Sequence, residues 1–508
     1  MRGKKAIKNS VVSITYQFIS MICAFIVPRL ILSHFGSSYN GLNSAILQFL
    51  NCIVLLRAGI SSVTRFALYK PLAEKDNKKI SEILFATKIF MRKVALIFSI
   101  ILISLAIIYP IFVREEFDWI FTFLLILIMG IGTIIQNYFG LTYQMLLIAD
   151  QKGYIFTSIQ IITTILNTIV TVILINIGTT FNMIKLASTT VFVLNPILLT
   201  IYVNKNYNII KDVKPDFKVI SQRWEAFAQE VAAFVNNNTD LMILSIFLNI
   251  KEVSVYTVYY LVINGVKTII ICLSEGFASA FGNMLAKNEK KLLLENMKIY
   301  EFMIYSISVI AFTSTAILIV PFISIYTKGI NDINYSRPIF GLLVAIGGFF
   351  YCVKFPYQDI IQSHGYFKEN RNSAIIESII NILISIIFVK SMGLIGVTIG
   401  TICALLFRMI QYSRFSCKHI LKISFNNILK RFAVCLLEVF TIFFVFRMLP
   451  KFPIENYLTW SIYAFIILSI SSVIVFIYKF IFYNRELKMF ITKICSYLKI
   501  DLRINQIS

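Results

Sequence analysis

The connections between successive apolar stretches of this chain are alternately rich and poor in lysine and arginine, a sidedness expected of a chain threaded repeatedly through a membrane. The N-terminus, every second connection and the C-terminus together hold roughly 35 of the 48 basic residues, against about 7 in the opposite set. The basic set is densest from Arg65 to Lys93, Lys205 to Arg223, Arg414 to Arg431 and from Lys479 onward, whereas Ser33 to Tyr39 has none. Basic segments stay on the cytoplasmic side, so the sequence predicts a multi-pass protein of the cytoplasmic membrane with both termini cytoplasmic.

Composition agrees. Hydrophobic residues make up 58% of 508 and charged residues 14%, well below the quarter or so usual in soluble domains. A spanning helix takes about 20 apolar residues, and about 14 such spans leave only short connections. They are predicted near 11 to 32, 40 to 63, 89 to 113, 119 to 147, 154 to 177 and 181 to 203, then 224 to 249, 254 to 285, 299 to 327, 335 to 363, 371 to 390 and 393 to 413. A last pair follows near 432 to 449 and 457 to 480. The fold class is therefore all-α integral membrane. The predicted organisation is a six-helix lobe over 1–204, a cytoplasmic linker over 205–223, a second six-helix lobe over 224–416, and two final helices with a basic cytoplasmic tail over 417–508.

The halves echo each other. Ile31, Leu32, Ser33 and Phe35 recur as Ile243, Leu244, Ser245 and Phe247, and Gly153 and Tyr154 as Gly365 and Tyr366, each 212 residues on. Leu72 and Ala73 match Leu285 and Ala286 at 213, and Asn167 matches Asn381 at 214. One period holds six spans, an even number, so both copies enter the membrane in the same sense. Parallel repeats about an axis along the membrane normal are an arrangement that lets two lobes rock and expose a central site to each side in turn.

Charges inside spans are costly and need a partner, a wet cavity or a route to the interface. Arg408, Glu275, Glu377 and Glu438 lie near predicted cytoplasmic edges and are expected to snorkel. Arg29, Arg57, Lys267 and Lys354 lie deeper and are the candidate anion-binding cations. Glu230, Asn237 and Asp240 fall within about 80 degrees of one helical face and form a candidate polar stripe; with Asp359 they are candidates for coupling to an ion. For Arg29, Arg57, Glu230, Asp240, Lys267, Lys354 and Asp359 the other reading is ion pairing between helices. Pro28, Pro196, Pro321 and Pro356 are expected to break helices locally.

Several classes are excluded or disfavoured. The net charge of +23 borders membrane spans instead of forming a soluble basic module, so nucleic acid is not an expected partner. No CxxC pair occurs among eight cysteines, only three histidines are present (His34, His364, His419), and there is no phosphate-binding glycine loop. No cofactor is expected; energy would come from H+ or Na+, or from substrate flux.

Several local patterns add a family reading. Arg29 to Leu32 with Gly36 and Asn40 to Leu42, Ala58 to Ile60, Leu68 to Ala73, Asn237 to Asp240, Tyr326 to Gly329 and Gly393 to Gly396 give the chain a resemblance, along nearly its whole length, to the Wzx-type polysaccharide flippases of the multidrug/oligosaccharidyl-lipid/polysaccharide exporter superfamily. The resemblance implies a V-shaped pair of lobes, two extra helices, cavity cations, and translocation of an undecaprenyl-pyrophosphate-linked oligosaccharide for surface polysaccharide synthesis. It also implies membrane lipids and polysaccharide polymerase machinery as partners, and a carrier, not an enzyme. Glu230 and Asp240 depart from a purely cationic cavity. The alternatives are an ion-coupled small-molecule antiporter of the multidrug and toxin extrusion (MATE) kind and, less compatible with such short outer connections, a membrane-embedded polymerase or glycosyltransferase.

Overall fold

The structure is a computed structural model and describes residues 2–55, 60–210, 213–217, 238–286, 289–450 and 453–497. Regular structure among them is helical throughout. The helices are α1 (Arg2–Phe35), α2 (Ser37–Val54), α3 (Ile60–Glu74), α4 (Asn77–Phe112), α5 (Trp119–Ile135), α6 (Leu141–Ala149), α7 (Gly153–Asn176), α8 (Phe181–Asn206) and α9 (Asn238–Phe247). They continue as α10 (Ile250–Ala286), α11 (Lys290–Tyr326), α12 (Pro338–Val353), α13 (Phe355–Ser363), α14 (Phe367–Met392), α15 (Leu394–Phe415), α16 (Asn426–Met448), α17 (Tyr457–Phe482) and α18 (Asn484–Tyr497).

Among the described residues, eleven helical stretches are long and apolar enough to cross a membrane. The three expected spans that fall short of that measure do so for visible reasons. α2 ends just before residues outside the description, the seventh span is described only over α9, and α16 carries Lys430, Arg431, Glu438 and Arg447. Large aliphatic side chains stay exposed along single faces, as Leu96, Ile100, Ile103, Ile107 and Ile111 do on α4. A face of that kind is stable only against lipid.

The helix starts repeat. Ser37 and Ile250, Asn77 and Lys290, and Phe181 and Leu394 each stand 213 residues apart, and Gly153 and Phe367 stand 214 apart. The interrupted helix α5–α6, broken by a π-turn at Gln136–Gly140, has its counterpart in α12–α13, broken at Lys354.

Contacts divide the chain into two units. The first comprises Met1–Thr257 with Gly329–Ile333, and the second comprises Val258–Lys328 with Asn334–Ser508. In the first, α1 packs on α7, α7 on α8, and α3 on α4 and α6, around a core that includes Leu68, Ile83, Leu146 and Val203. Asn9 ties α1 to the start of α7, accepting from Tyr154 N at 2.7 Å and donating to Gln151 O at 3.2 Å. Beside it, Tyr207 donates to Asp150 Oδ2 at 2.6 Å. Burial, and then that carboxylate, hold the Tyr207 phenol well above its ordinary range, so it remains a donor.

In the second unit α11 is central and packs against α12, α13, α16, α17 and α18. Its core gathers Tyr300, Tyr305, Phe312, Tyr357 and Ile442. α14 and α15 pack closely along their length. A Cβ on Gly396 would lie 2.4 Å from Phe388 O, and one on Gly400 would lie 2.4 Å from Ser385 Oγ and 2.9 Å from Asn381 O. Two glycines four apart thus let the α15 backbone approach α14, as small residues do between membrane helices.

Two expectations are corrected. Pro28, Pro196 and Pro321 lie inside continuous helices, and only Pro356 accompanies an interruption, at Lys354. Snorkelling does not describe Arg408, Glu377 or Glu438. Arg408 Nε stands 3.3 Å from Glu377 Oε2, and Lys479 Nζ 2.8 Å from Glu438 Oε1, all four side chains being buried. A helix-borne partner neutralises each charge inside the protein, so none has to reach the interface. Glu275's side chain lies outside the described residues.

Candidate functional site

Of the four candidate cations, Lys267 and Lys354 are brought together. Lys267 stands on α10, and Lys354 at the junction of α12 and α13. Each ammonium nitrogen lies 4.6 Å from the centroid of the Tyr351 ring, so the two nitrogens are at most 9.2 Å apart. Lys267 also stands 5.6 Å from the Tyr260 ring. All are half-buried. Lys354 is held on an aromatic face, with no carboxylate within ion-pair distance of it among the described residues.

The local sequence explains why Lys354 is displayed here. Pro356 has no N–H to continue the helical ladder, so the chain breaks after Val353 and restarts as α13 with proline in its first turn. α13 therefore starts at Lys354, whose carbonyl accepts from Gln358 N at 3.0 Å, and a helix start of this kind favours an anion. Nearby, Arg408 is spoken for: besides Glu377 it donates to Asn370 O at 3.3 Å and to Tyr412 Oη at 2.7 Å. It is a structural cation, already paired.

The coupling candidates are separated. Asp240 is buried on α9, where Tyr256 Oη donates to its Oδ2 at 3.0 Å, in the first unit. Asp359 is buried on α13 in the second unit and receives Tyr300 Oη at 2.5 Å and Ser274 Oγ at 3.0 Å. Among the described residues no basic side chain lies within ion-pair distance of Asp359. A carboxyl group held there by hydroxyls alone, without a cation, suits the taking up and releasing of a proton or a small cation. Arg29 is half-buried in α1 of the first unit. Arg57, Glu230 and Asn237 lie outside the described residues.

Sequence reasoning missed a second polar cluster. Glu301 on α11 accepts from Tyr357 Oη and pairs with Arg431 Nη2 of α16 at 3.3 Å; Tyr305 and Tyr357 hydroxyls stand 3.3 Å apart. With Lys479 and Glu438 it fastens α16 and α17 to the second unit. The available signal was a glutamate just inside the predicted ninth span.

No family model matches the chain, and no curated protein does either. Solved structures do. The lipid II flippase MurJ in an inward closed conformation aligns over 94% of this chain and 99% of its own, with a TM-score of 0.66 at 18% identity. A MATE-family multidrug resistance transporter aligns in its inward-facing form over 80% and 97% with a TM-score of 0.61 at 12% identity, and in its outward-facing form with a TM-score of 0.55 at 14% identity. The likeness is one of fold. At these identities it shows the helical fold alone.

Proposed function

We propose that the protein is a flippase that carries an undecaprenyl-pyrophosphate-linked oligosaccharide from the cytoplasmic to the outer leaflet by alternating access. Lys267 and Lys354 hold the pyrophosphate, and Arg29 and Arg57 are further candidate cations in the first half of the chain. The observation that carries this reading is the pair of lysines on one tyrosine ring, at a helix break, inside a fold otherwise apolar enough to be solvated by lipid. A doubly charged phosphate ester is the ligand that two fixed ammonium groups suit best. The likeness in fold to a lipid II flippase supports it.

In this reading the sugar occupies a wet cleft, the polyprenyl chain stays in lipid, and polymerase machinery takes the delivered unit. Both termini face the cytoplasm. Asp240 and Asp359 give H+ or Na+ a place to act. The same buried carboxylates favour the second reading, an ion-coupled small-molecule antiporter. Following lipid-linked sugar in separated leaflets of a strain lacking the protein decides between them. Repeat units trapped in the inner leaflet support the flippase; unchanged lipid-linked sugar supports the antiporter; outer-leaflet units left unpolymerised reject both in favour of an enzyme.

A further inference from the structure

A cavity of about 720 Å³ lies between the first turns of α11 and of α18, away from the lysine pair. Its level in the membrane follows from the elements that wall it. α17 ends at Phe482 with Phe480, Ile481 and Phe482 exposed, as lipid-facing side chains are, and α18 starts at Asn484. α11, at 37 residues, is about 55 Å long, far more than the roughly 30 Å hydrocarbon core, so its first turns overhang. The cavity therefore opens at head-group level.

α18 is amphipathic in a defined way. Leu487 is buried, and the Phe490 ring lies 5.8 Å from that of Phe302 on α11. Glu486 turns toward Arg431, 4.0 Å away. That leaves Arg485 and Lys488 exposed and lining the cavity from the α18 side, while Glu295 lines it from the α11 side. The acid makes no ion pair with either base, although all three face one space. Opposite charges set apart across a cavity of this size leave room for a group carrying both signs.

We infer that this groove binds the head group of an aminophospholipid. Its phosphate meets Arg485, Lys488 and the N–H groups that open α18, and its ammonium donates to Glu295. The inference rests on the membrane-embedded reading only and is independent of the transported substrate.

The test uses the full-length protein in bilayer discs of phosphatidylcholine, with phosphatidylethanolamine or phosphatidylglycerol titrated in and bound lipid counted by native mass spectrometry. Phosphatidylethanolamine is expected to be retained about two- to fivefold over phosphatidylglycerol and over phosphatidylcholine, the fold-change an exposed ion pair gives. Glu295→Gln is expected to remove the preference for ethanolamine while leaving glycerol-lipid retention intact, and Arg485→Gln with Lys488→Gln to lower both. All three side chains are exposed, so unchanged melting in phosphatidylcholine alone confirms that the variants fold. Equal retention of the three lipids by the unaltered protein, or a preference indifferent to Glu295→Gln, overturns the inference.

Discussion

Two kinds of buried charge meet in this protein, and single substitutions tell them apart. Lys479 and Glu438 are a pair: each neutralises the other's charge, and breaking it strands a charge inside the protein. Lys479→Met should cost about 3–5 kcal/mol, and the double change with Glu438→Leu should recover much of it, read by thermal unfolding in detergent. Lys354 is different, because its contact is an aromatic face and not a carboxylate. Lys354→Ala should leave unfolding nearly unchanged yet weaken binding of a soluble pyrophosphate ester by roughly tenfold, the worth of one charged hydrogen bond. Tyr351→Phe keeps the ring and should bind normally, whereas Tyr351→Leu should bind poorly; equal losses in both would remove the ring from the site. From the sequence Lys354 and Arg408 are both bases inside a span, told apart only by depth. What separates them is whether a partner such as Glu377 reaches them, and that depends on helix neighbours that spacing along the chain does not reveal.

At the scale of elements, close helix approach decides which neighbours those are. The Gly396 and Gly400 pair brings the α15 backbone against α14, with main-chain oxygens of Phe388 and Asn381 in the way of any added side chain. Backbone cannot swing aside as a side-chain tip can. Gly400→Leu should therefore push α14 from α15 and lower the unfolding temperature markedly, while Gly178→Ala, where nothing lies within 4 Å and only the positive φ resists, should cost about 1 kcal/mol. Comparable shifts for both would mean the approach is looser than it looks. The existence and order of the helices were legible in the sequence because lipid imposes length and hydropathy on each span. The breaks were less so: four prolines suggested four, and only Pro356 coincides with one, since neighbouring helices can absorb a proline inside a membrane helix. α18 was hidden within a basic tail because its apolar side is only a few residues wide, among them Leu487 and Phe490.

For the whole molecule, the repeat is the constraint that links fold to action. Helix starts that recur 213 residues apart over α2, α4 and α8 repeat one order of helices in the two halves of the sequence, and a repeat of that kind suits a carrier that alternates. An alternating carrier needs something that favours one direction, and the two buried carboxylates are placed in different units, Asp240 in the first and Asp359 in the second. Tyr256 donates to Asp240, and Tyr300 and Ser274 donate to Asp359, so geometry alone gives no ranking. Function does. If a proton moves with the cycle, the carboxyl that carries it must change charge each turn, and its amide analogue is frozen in the neutral form. Asp359→Asn should then abolish dependence of lipid-linked sugar translocation on an imposed pH gradient while slow equilibration down the sugar-lipid gradient continues, and Asp240→Asn should do so if the first unit holds the carrier instead. Gradient dependence surviving in both single variants, and in the double, would leave substrate flux as the driving force and return these carboxyls to a purely structural role.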